Sequence, residues 1–364
     1  MIVKEVCHIL EELAPLAYAE DFDNVGLLVG DPTTKVSGIL VSLDTLETVV
    51  DEAIAKNCNL IVSFHPILFN GLKQLTPSDY VRKTLIKALK NDIAIYSMHT
   101  ALDNVKGGVN SKIADQLHLE DLKVLIPKKG VLKKLNTYIP TTSLETVKES
   151  LYQVGAGAIG NYKNCSFTIN GTGEFTPIEG ANPTKGSLHQ VEQVNETQLQ
   201  LVFTADQEAS IIKTLIEVHP YETVAYEVYS LDNSQEEVGM GRIGRLPEPL
   251  NEHKFLSLLK GKFNCEVIKH SSFINKEISK VAVLGGSGAF AIDAAIRAGA
   301  DAFVTADLKY HDFFKAENRI LLADIGHYES EQFTKNLLVE YLTKKIPNFA
   351  ISLSETLTNP VKYY

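Results

Sequence analysis

Imidazole and carboxylate side chains follow three apolar segments of this 364-residue chain. NLIVSFH ends at His65, DIAIYSMH ends at His99 with Asp103 four residues later, and LLADIG runs directly into His327, with Glu331 four residues further on. Residues four apart on a helix share one face, so His327 and Glu331 can reach a single ion together. Imidazole nitrogens and carboxylate oxygens suit zinc, iron(II), manganese or nickel.

Such a cluster has a chemical use and a purely structural alternative. A carboxylate can bridge two ions, and two ions about 3.5–4 Å apart form a hydrolytic site. Alternatively, a histidine at a strand end is a hydrogen-bonded structural residue, and the His327–Glu331 pair is a helix-surface contact of about 0.2–0.5 kcal/mol. Ligand-type residues at three strand ends favour the metal, but spacing alone leaves both interpretations open.

The surrounding elements explain how distant residues could meet. Short runs rich in Val, Ile and Leu, such as GILVSLD and NLIVSFH, alternate with helical segments of about twelve residues. This alternation is typical of parallel sheets covered on both faces, where ligands bind beyond the carboxyl ends of the strands. TADLKYHDFF also follows a strand, and its Asp307, Lys309 and His311 are either substrate contacts and a general acid or base, or part of a surface loop.

The middle of the chain has a different pattern. Its segments predict the order strand–helix–strand–strand–helix–strand, which is the ferredoxin-like arrangement. The predicted fold is therefore a split α/β core with mainly parallel sheets, interrupted by a ferredoxin-like α+β insert. The predicted parts are an N-terminal half of the core (1–126), the insert (127–240) and a C-terminal half (241–364).

Composition narrows the classes of partner. The net charge of −10 argues against nucleic acid as the main partner, because phosphate binding needs a basic face. No apolar run reaches the roughly 18 residues of a membrane span, and the N-terminus is predicted to be an amphipathic helix. The four cysteines form no CxxC pair, which favours a reducing cytoplasm over a disulfide framework.

Five motifs resemble those of the NGG-one-interacting-factor-three-like family, whose members are also labelled GTP cyclohydrolase I type 2 homologues. The resemblance extends over essentially the whole chain, including the insert. The motifs are DNVGLLVGD (23–31), SFHPILF (63–69), HTALDNVKGGVN (99–110), HPYETVAYEVY (219–229) and GHYESE (326–331).

The resemblance implies a divalent metal pair, with zinc as the first expectation, in an α/β core whose insert is similar to CutA or PII domains. It implies His65, Asp103, His327 and Glu331 as the ligands, since these positions match the family's motifs. It also implies a toroidal homohexamer with the metals facing an internal cavity. A cyclohydrolase-like hydrolase acting on a nucleotide or related small molecule is the implied activity.

One position departs from the family pattern. Many members carry His-His-Pro, whereas this chain has Phe64 before His65 and Pro66. Phenylalanine cannot coordinate a metal, so we expect one tight ion and a second that is weak or absent. His99 is the nearest compensating imidazole, but we expect it to orient a ligand or to act in catalysis.

Two functional classes remain at this point. The first is a metal-dependent hydrolase, for which His99, His311 and Lys309 are the catalytic candidates. The second is a metal-binding or regulatory hexamer without turnover, in which the insert acts as a sensing or gating module.

Overall fold

A computed structural model describes residues 1–364, which form two compact units. The first unit, called the core, comprises residues 1–127 and 236–364, and the second, called the insert, comprises residues 128–235. The boundaries predicted from the sequence lie at residues 127 and 240.

The N-terminal segment of the core alternates strands and helices in the order that its sequence predicts. The predicted strands at 38–44, 59–65 and 92–99 are present, with slightly shorter bounds. Their residues are buried on both faces, which explains their near-continuous apolar sequences. The elements are α1 (Val3–Leu13), β1 (Gly26–Val29), β2 (Ile39–Ser42), α2 (Glu47–Ala55), β3 (Leu60–Ser63), α3 (Tyr80–Lys90), β4 (Ala94–Ser97), α4 (His99–Asn104), α5 (Val109–Gln116) and β5 (Glu120–Pro127).

The insert has its own sheet and its own apolar core. Its elements follow the predicted order, and the antiparallel sheet has the strand order β7-β8-β6-β9. Both helices cover one face, where Leu151 and Leu215 pack with Leu199 and Phe203 of the sheet. The elements are β6 (Leu132–Pro140), α6 (Leu144–Gln153), β7 (Ser166–Phe175), β8 (Glu192–Thr204), α7 (Glu208–Val218) and β9 (Tyr226–Ser230).

The C-terminal segment completes the core. It contributes the strand–turn–helix unit that ends in the His327–Glu331 helix. The elements are β10 (Gly239–Asn251), α8 (Glu252–Phe263), β11 (Lys269–His270), β12 (Glu277–Ser287), α9 (Ile292–Arg297), β13 (Ala302–Ala306), β14 (Leu321–Asp324), α10 (His327–Glu331), α11 (Thr334–Lys345) and β15 (Ile351–Leu353).

The two sheets of the core exchange strands between the two segments. The first sheet, β1-β4-β3-β2-β15, receives β15 from the end of the chain. The second sheet, β11-β14-β13-β12-β10-β5, receives β5 from the N-terminal segment. Each segment therefore completes the sheet of the other, which makes the core one folding unit although the insert divides it in sequence.

The prediction of mainly parallel sheets is wrong for the second sheet. The first sheet has β15, β2, β3 and β4 parallel, with only β1 antiparallel. In the second, only the β12–β13 and β13–β14 pairs are parallel. The long strand β10 was missed because its sequence, GMGRIGRLPEPLN, is rich in Gly, Arg and Pro, and it pairs antiparallel with both β5 and β12.

Two pairs of adjacent parallel strands end next to residues that the sequence singled out. β3 lies beside β4 in the first sheet, and His65 and His99 each come two residues after the end of these strands. β13 lies beside β14 in the second sheet, and Asp307 and His327 come after these strands. No helix of the chain is both long enough and apolar enough to cross a bilayer.

Candidate metal centre

Three of the four predicted ligands meet at one point of the core. One ligand atom from each of His65, His327 and Glu331 lies within 4.8 Å of the other two. The Nε2 atoms of the two imidazoles are 3.3 Å apart, and they lie 3.0 Å (His65) and 3.2 Å (His327) from Oε2 of Glu331. The loop after β3 supplies His65, and α10 supplies the other two.

The turn before α10 depends on a glycine. Gly326 has φ +95°, in the region that favours glycine, and a Cβ there would lie 2.2 Å from the Glu329 carboxylate. The chain can therefore leave β14 and begin a helix at once at His327. The i, i+4 spacing then places Glu331 on the same face as His327.

A second glycine makes room for the Glu331 carboxylate. Gly286, at the end of β12, has φ +65°, and a Cβ there would lie 2.5 Å from Oε1 of Glu331. Its amide donates a hydrogen bond to the Ser330 hydroxyl at 3.0 Å. Gly286 thus allows β12 to approach the helix that carries Glu331.

Each imidazole of the cluster is held through its Nδ1 atom by a carboxylate. Nδ1 of His65 lies 2.8 Å from Oδ1 of Asp44, and Nδ1 of His327 lies 2.7 Å from Oδ2 of Asp307. Ser287 in turn donates a hydrogen bond to Asp307. An imidazole that donates from Nδ1 presents the Nε2 lone pair, and this carboxylate–histidine arrangement is characteristic of histidines that bind metals.

The sequence prediction missed the role of these two carboxylates. Asp44 was not singled out, and Asp307 was considered as a substrate contact, a general acid or base, or part of a surface loop. A signal was present, because both acids lie within two residues of the end of a buried parallel strand, β2 for Asp44 and β13 for Asp307. What the sequence lacks is the pairing of each acid with a histidine 21 or 20 residues away.

The residues of the cluster and their supporting carboxylates shift one another's pKa values strongly. Burial disfavours the charged imidazole of His65, but Glu331 and Asp44 outweigh this effect and raise its pKa to about 9. For His327, burial is likewise outweighed by Asp307 and Glu331, which raise the pKa to about 11. Burial would raise the pKa of Glu331, yet the two imidazoles lower it to about 2.

Asp103 lies outside the tight group of three. The residue is half-buried, and the burial of its carboxylate and then the charge of Glu331 raise its pKa well above the usual range. Its Oδ1 atom has no hydrogen-bond partner. The nearby Arg242 does not satisfy it, because that guanidinium donates to backbone carbonyls, including the one of Val105 at 2.6 Å.

The donor set fits a divalent cation. Oε2 of Glu331 is buried, and its contacts with the imidazoles lie outside hydrogen-bond geometry, so it too lacks a hydrogen-bond partner. A buried unpaired oxygen costs about 1–3 kcal/mol, and more when it is charged. A cation bound by the two Nε2 lone pairs and by Glu331 would satisfy the orphaned Oε2 atom.

His99 has the same kind of support as the two clustered histidines. Its Nδ1 atom lies 2.7 Å from Oδ1 of Asp23, a carboxylate whose side chain is fully buried. The backbone amide of Thr100 donates to the other oxygen of Asp23 at 3.0 Å. The ring centre of His99 is 5.6 Å from that of His65, and its backbone has φ +25°, which is rare for a residue other than glycine.

A cavity of about 730 Å³ opens beside the cluster. All three imidazoles line it, together with Phe69, Lys269 and the residues around Tyr328. This volume lies within the range typical of small-molecule sites.

One wall of the cavity is formed by the end of the chain, residues 354–363, which we call the C-terminal strap. The Thr358 hydroxyl donates to Oδ2 of Asp44, the carboxylate that holds His65. The Asn359 amide donates to Oε1 of Glu329 on α10 at 3.1 Å. The strap therefore contacts the carboxylate that holds His65 and the helix that carries His327. Nothing in the sequence pattern predicted this role.

The first residues of the strap are held by hydrogen bonds to Glu52 of α2. This carboxylate accepts hydrogen bonds from the Ser354 hydroxyl at 2.6 Å and the Glu355 amide at 2.8 Å, and also from Thr356. Burial opposes ionisation of Glu52, but hydrogen bonds from Lys56 and the strap lower its pKa to about 2.

Two predicted catalytic candidates lie elsewhere. Lys309 and His311 are exposed, at the start of a short 3₁₀ segment, and neither lines the cavity. The His311 ring packs edge-on against Tyr310, with ring centres 5.2 Å apart. Of the three candidates, only His99 lines the cavity.

Comparison with known proteins resolves the family. A family model described as Duf34/NIF3 (NGG1p interacting factor 3) matches residues 1–360. The chain belongs to this family. The resemblance carried by the five sequence motifs is thus confirmed.

Relatives within the Duf34/NIF3 family match the chain over its full length. A Bacillus subtilis protein named "GTP cyclohydrolase 1 type 2 homolog" is 36% identical, with 99% of this chain and 98% of the relative covered. A Staphylococcus epidermidis protein of the same name is 34% identical over 100% of both chains. The name describes those two proteins as homologues of GTP cyclohydrolase 1 type 2.

Solved structures of similar proteins show the same mixed α/β architecture. A Bacillus cereus protein described as related to NIF3 is 36% identical, with a TM-score of 0.82 and coverage of 100% and 99% of the two chains. A Staphylococcus aureus protein is 28% identical, with a TM-score of 0.78 and the same coverage. The likeness therefore includes the insert as well as the core.

Proposed function

We propose that this Duf34/NIF3 protein binds one or two divalent metal ions through His65, Asp103, His327 and Glu331. One observation carries the proposal: two imidazoles, each anchored through Nδ1, present their Nε2 atoms to one buried carboxylate oxygen that lacks a hydrogen-bond partner. Zinc is the first choice for this donor set, and iron(II), manganese and nickel are the alternatives.

The binding proposal is tested by metal analysis. Protein purified without chelator or added metal should contain close to one or two ions per chain. The double variant His65→Gln/His327→Gln should lose them while keeping the circular dichroism of the wild type. Retention of the full metal content in that variant would refute the ligand assignment.

We further propose that the centre supports hydrolysis of a nucleotide or a related small molecule. A bound divalent ion would supply Lewis-acid chemistry, polarising a substrate oxygen or lowering the pKa of a water. The adjacent cavity can hold a molecule of that size, and His99, oriented by Asp23, faces it as the candidate general acid or base. Lys269 is the cationic side chain in the lining and could contact an anionic group of the substrate.

Turnover of a nucleotide panel, with GTP included, tests the hydrolase proposal. We expect product formation that stops on chelation and returns with metal. Glu331→Gln should abolish it, and His99→Gln should lower turnover while leaving metal content unchanged. Full metal occupancy without turnover of any panel member would favour the second class, a metal-binding or regulatory assembly.

The regulatory class is supported by the independence of the insert. We propose that the insert is a ferredoxin-like domain similar to CutA or PII domains, since its strand order β7-β8-β6-β9, with both helices on one face, is consistent with that arrangement. A module with its own core can respond to a ligand without forming part of the metal centre.

We also propose that the chain assembles into a closed homo-oligomer, with a hexamer as the first expectation. Exposed aromatic side chains support an interface on the core: Tyr310 and Phe314 are 75% and 64% exposed, with ring centres 5.4 Å apart. Light scattering measures the mass, and a monomer at micromolar concentration would contradict the proposal. The proposed compartment is the cytoplasm, in keeping with four unpaired cysteines.

A further inference from the structure

The insert contains a second cavity, of about 370 Å³, formed by residues of the insert alone. Its walls come from the end of β7, the loop after it, and the segment HPYET between α7 and β9. None of these residues belongs to the candidate metal centre or lines the cavity beside it.

The HPYET segment divides into structural and cavity-facing residues. His219 is buried; its Nε2 atom donates to the Tyr138 carbonyl at 3.1 Å, while its Nδ1 atom accepts from the Tyr221 amide at 3.1 Å. Burial lowers the pKa of His219, so the ring stays neutral in this role. His219 fixes the turn, and the turn directs Tyr221 and Glu222 to the cavity.

Glu196 supplies the central charge of the cavity. Its Oε1 atom accepts a hydrogen bond of 2.7 Å from the Tyr221 hydroxyl. Its Oε2 atom lies over Gly173 of the neighbouring strand, where a Cβ would come within 2.1 Å. No protein group donates a hydrogen bond to Oε2, so one oxygen of a positioned carboxylate is free for a ligand.

The remaining lining is apolar or acidic apart from three threonines, Thr176, Thr184 and Thr223. Phe175 and Tyr221 form an aromatic wall with ring centres 6.1 Å apart, and Ile178 and Pro183 of the loop close the other side. Glu174 and Glu222 add two further carboxylates, and no lysine or arginine lines the cavity. The loop is pinned to the HPYET segment by hydrogen bonds from the Asn182 amide to Glu222 and from the Thr184 hydroxyl to the Pro220 carbonyl.

We infer that this cavity is a binding site for a planar organic cation, a guanidinium or amidinium compound with an apolar body. The charge of the site selects a cation. The free Oε2 atom of Glu196 accepts the N–H donors of the planar head, and aromatic faces attract both cationic and apolar groups. An anionic ligand such as a nucleoside phosphate would meet three carboxylates without a countercharge. The inference is independent of the metal centre.

The fluorescent probe p-aminobenzamidine tests this inference with the full-length protein. The chain contains no tryptophan, so the probe is read against a low background. We expect saturable binding with one site per chain. Glu196→Gln should weaken it at least tenfold, because the positioned charge is lost. Gly173→Ala should weaken it similarly, because the added methyl displaces the carboxylate.

Controls distinguish binding at this site from binding in the cavity beside the metal centre and from non-specific electrostatic attraction. Glu145→Gln on α6, which is exposed outside the cavity, and Glu329→Gln in the metal-centre cavity should both leave the affinity unchanged. Neutral p-aminobenzamide should bind at least tenfold more weakly than the amidine. Equal binding of the two compounds, unchanged affinity in Glu196→Gln, or no saturation at millimolar probe would overturn the inference.

Discussion

At the scale of single residues, the carboxylates that hold the histidines through Nδ1 give the sharpest test of the proposed metal centre. Asp307→Asn and Asp44→Asn remove the charge that holds His327 and His65 through Nδ1. Loss of such support typically lowers metal affinity 10–100-fold. Zinc calorimetry should show this weakening in both variants. Asp51→Asn, at a surface carboxylate that pairs only with Lys87, is the matched control and should bind zinc like the wild type.

Phe64 determines what can be expected of a second ion. Its ring is fully buried, with its centre 4.9 Å from that of His65 and 5.6 Å from that of His99. We expect the wild type to bind one ion tightly and a second one weakly or not at all. Phe64→His should tighten the second site at a cost of about 2–4 kcal/mol in the free energy of unfolding, because a large buried apolar ring is replaced by a polar one.

Calorimetry combined with metal counting decides the Phe64 prediction. Phe64→Leu is the control, since it also removes the large ring but adds no ligand, and it should leave the second ion weak. Two equally tight ions in the wild type would show that Phe64 is only a core residue.

The raised pKa values of the histidines predict opposite pH trends for the metal-free and zinc-loaded protein. His65, at about 9 against 6.5 when unfolded, stabilises the metal-free fold fully below pH 6.5 and loses this contribution as the pH rises through 9. Zinc binds the neutral imidazole, so the increase in Tm on zinc addition should grow from pH 6 to pH 9. Thermal melts across this range, with and without chelator, test both trends. A zinc effect that shrinks with rising pH would contradict the assignment.

At the scale of elements, the strand ends of the first sheet were predictable and the supports of the site were not. Local apolar runs predicted β2, β3 and β4 to within a few residues, and with them the location of His65 and His99. Asp23 lies 76 residues from His99, and Thr358 lies 314 residues from Asp44. Hydrogen bonds between such distant residues produce no periodic pattern in the sequence, so they can be identified only in the folded structure.

The C-terminal strap yields a prediction of its own. Thr358→Val deletes the hydroxyl that contacts Asp44, so His65 is held less firmly, and zinc affinity should fall several-fold with little change in Tm. Thr356→Val instead weakens the attachment to Glu52, and it should lower the Tm by a few degrees while the folded protein keeps its zinc affinity. Identical effects of the two substitutions would show that the strap has no specific link to the site.

At the scale of the whole molecule, the insert should be removable. Pro127 of β5 lies opposite Gly239 of β10 in an antiparallel pair, so the ends left by deleting residues 128–235 are neighbours. A short Gly-Asn turn between residues 127 and 236 should convert β5 and β10 into a hairpin. We expect the shortened protein to unfold cooperatively and to bind zinc like the full chain. A molten core without zinc binding would contradict this independence.

The exchange of strands between the two segments also bears on biosynthesis. When the nascent chain has been made as far as the end of the insert, it contains His65 and Asp103 but not His327 and Glu331 of α10. At that stage β15 has also not yet joined the first sheet. Half of a ligand set holds an ion weakly, so the growing chain has little means of capturing a stray metal before the core closes. The insert, by contrast, has all its strands and helices by residue 230 and can fold while the rest of the core is still being made. The order of synthesis thus separates the two cavities in time: the cavity of the insert is complete first, and the candidate metal centre is complete only after the C-terminal segment has been made.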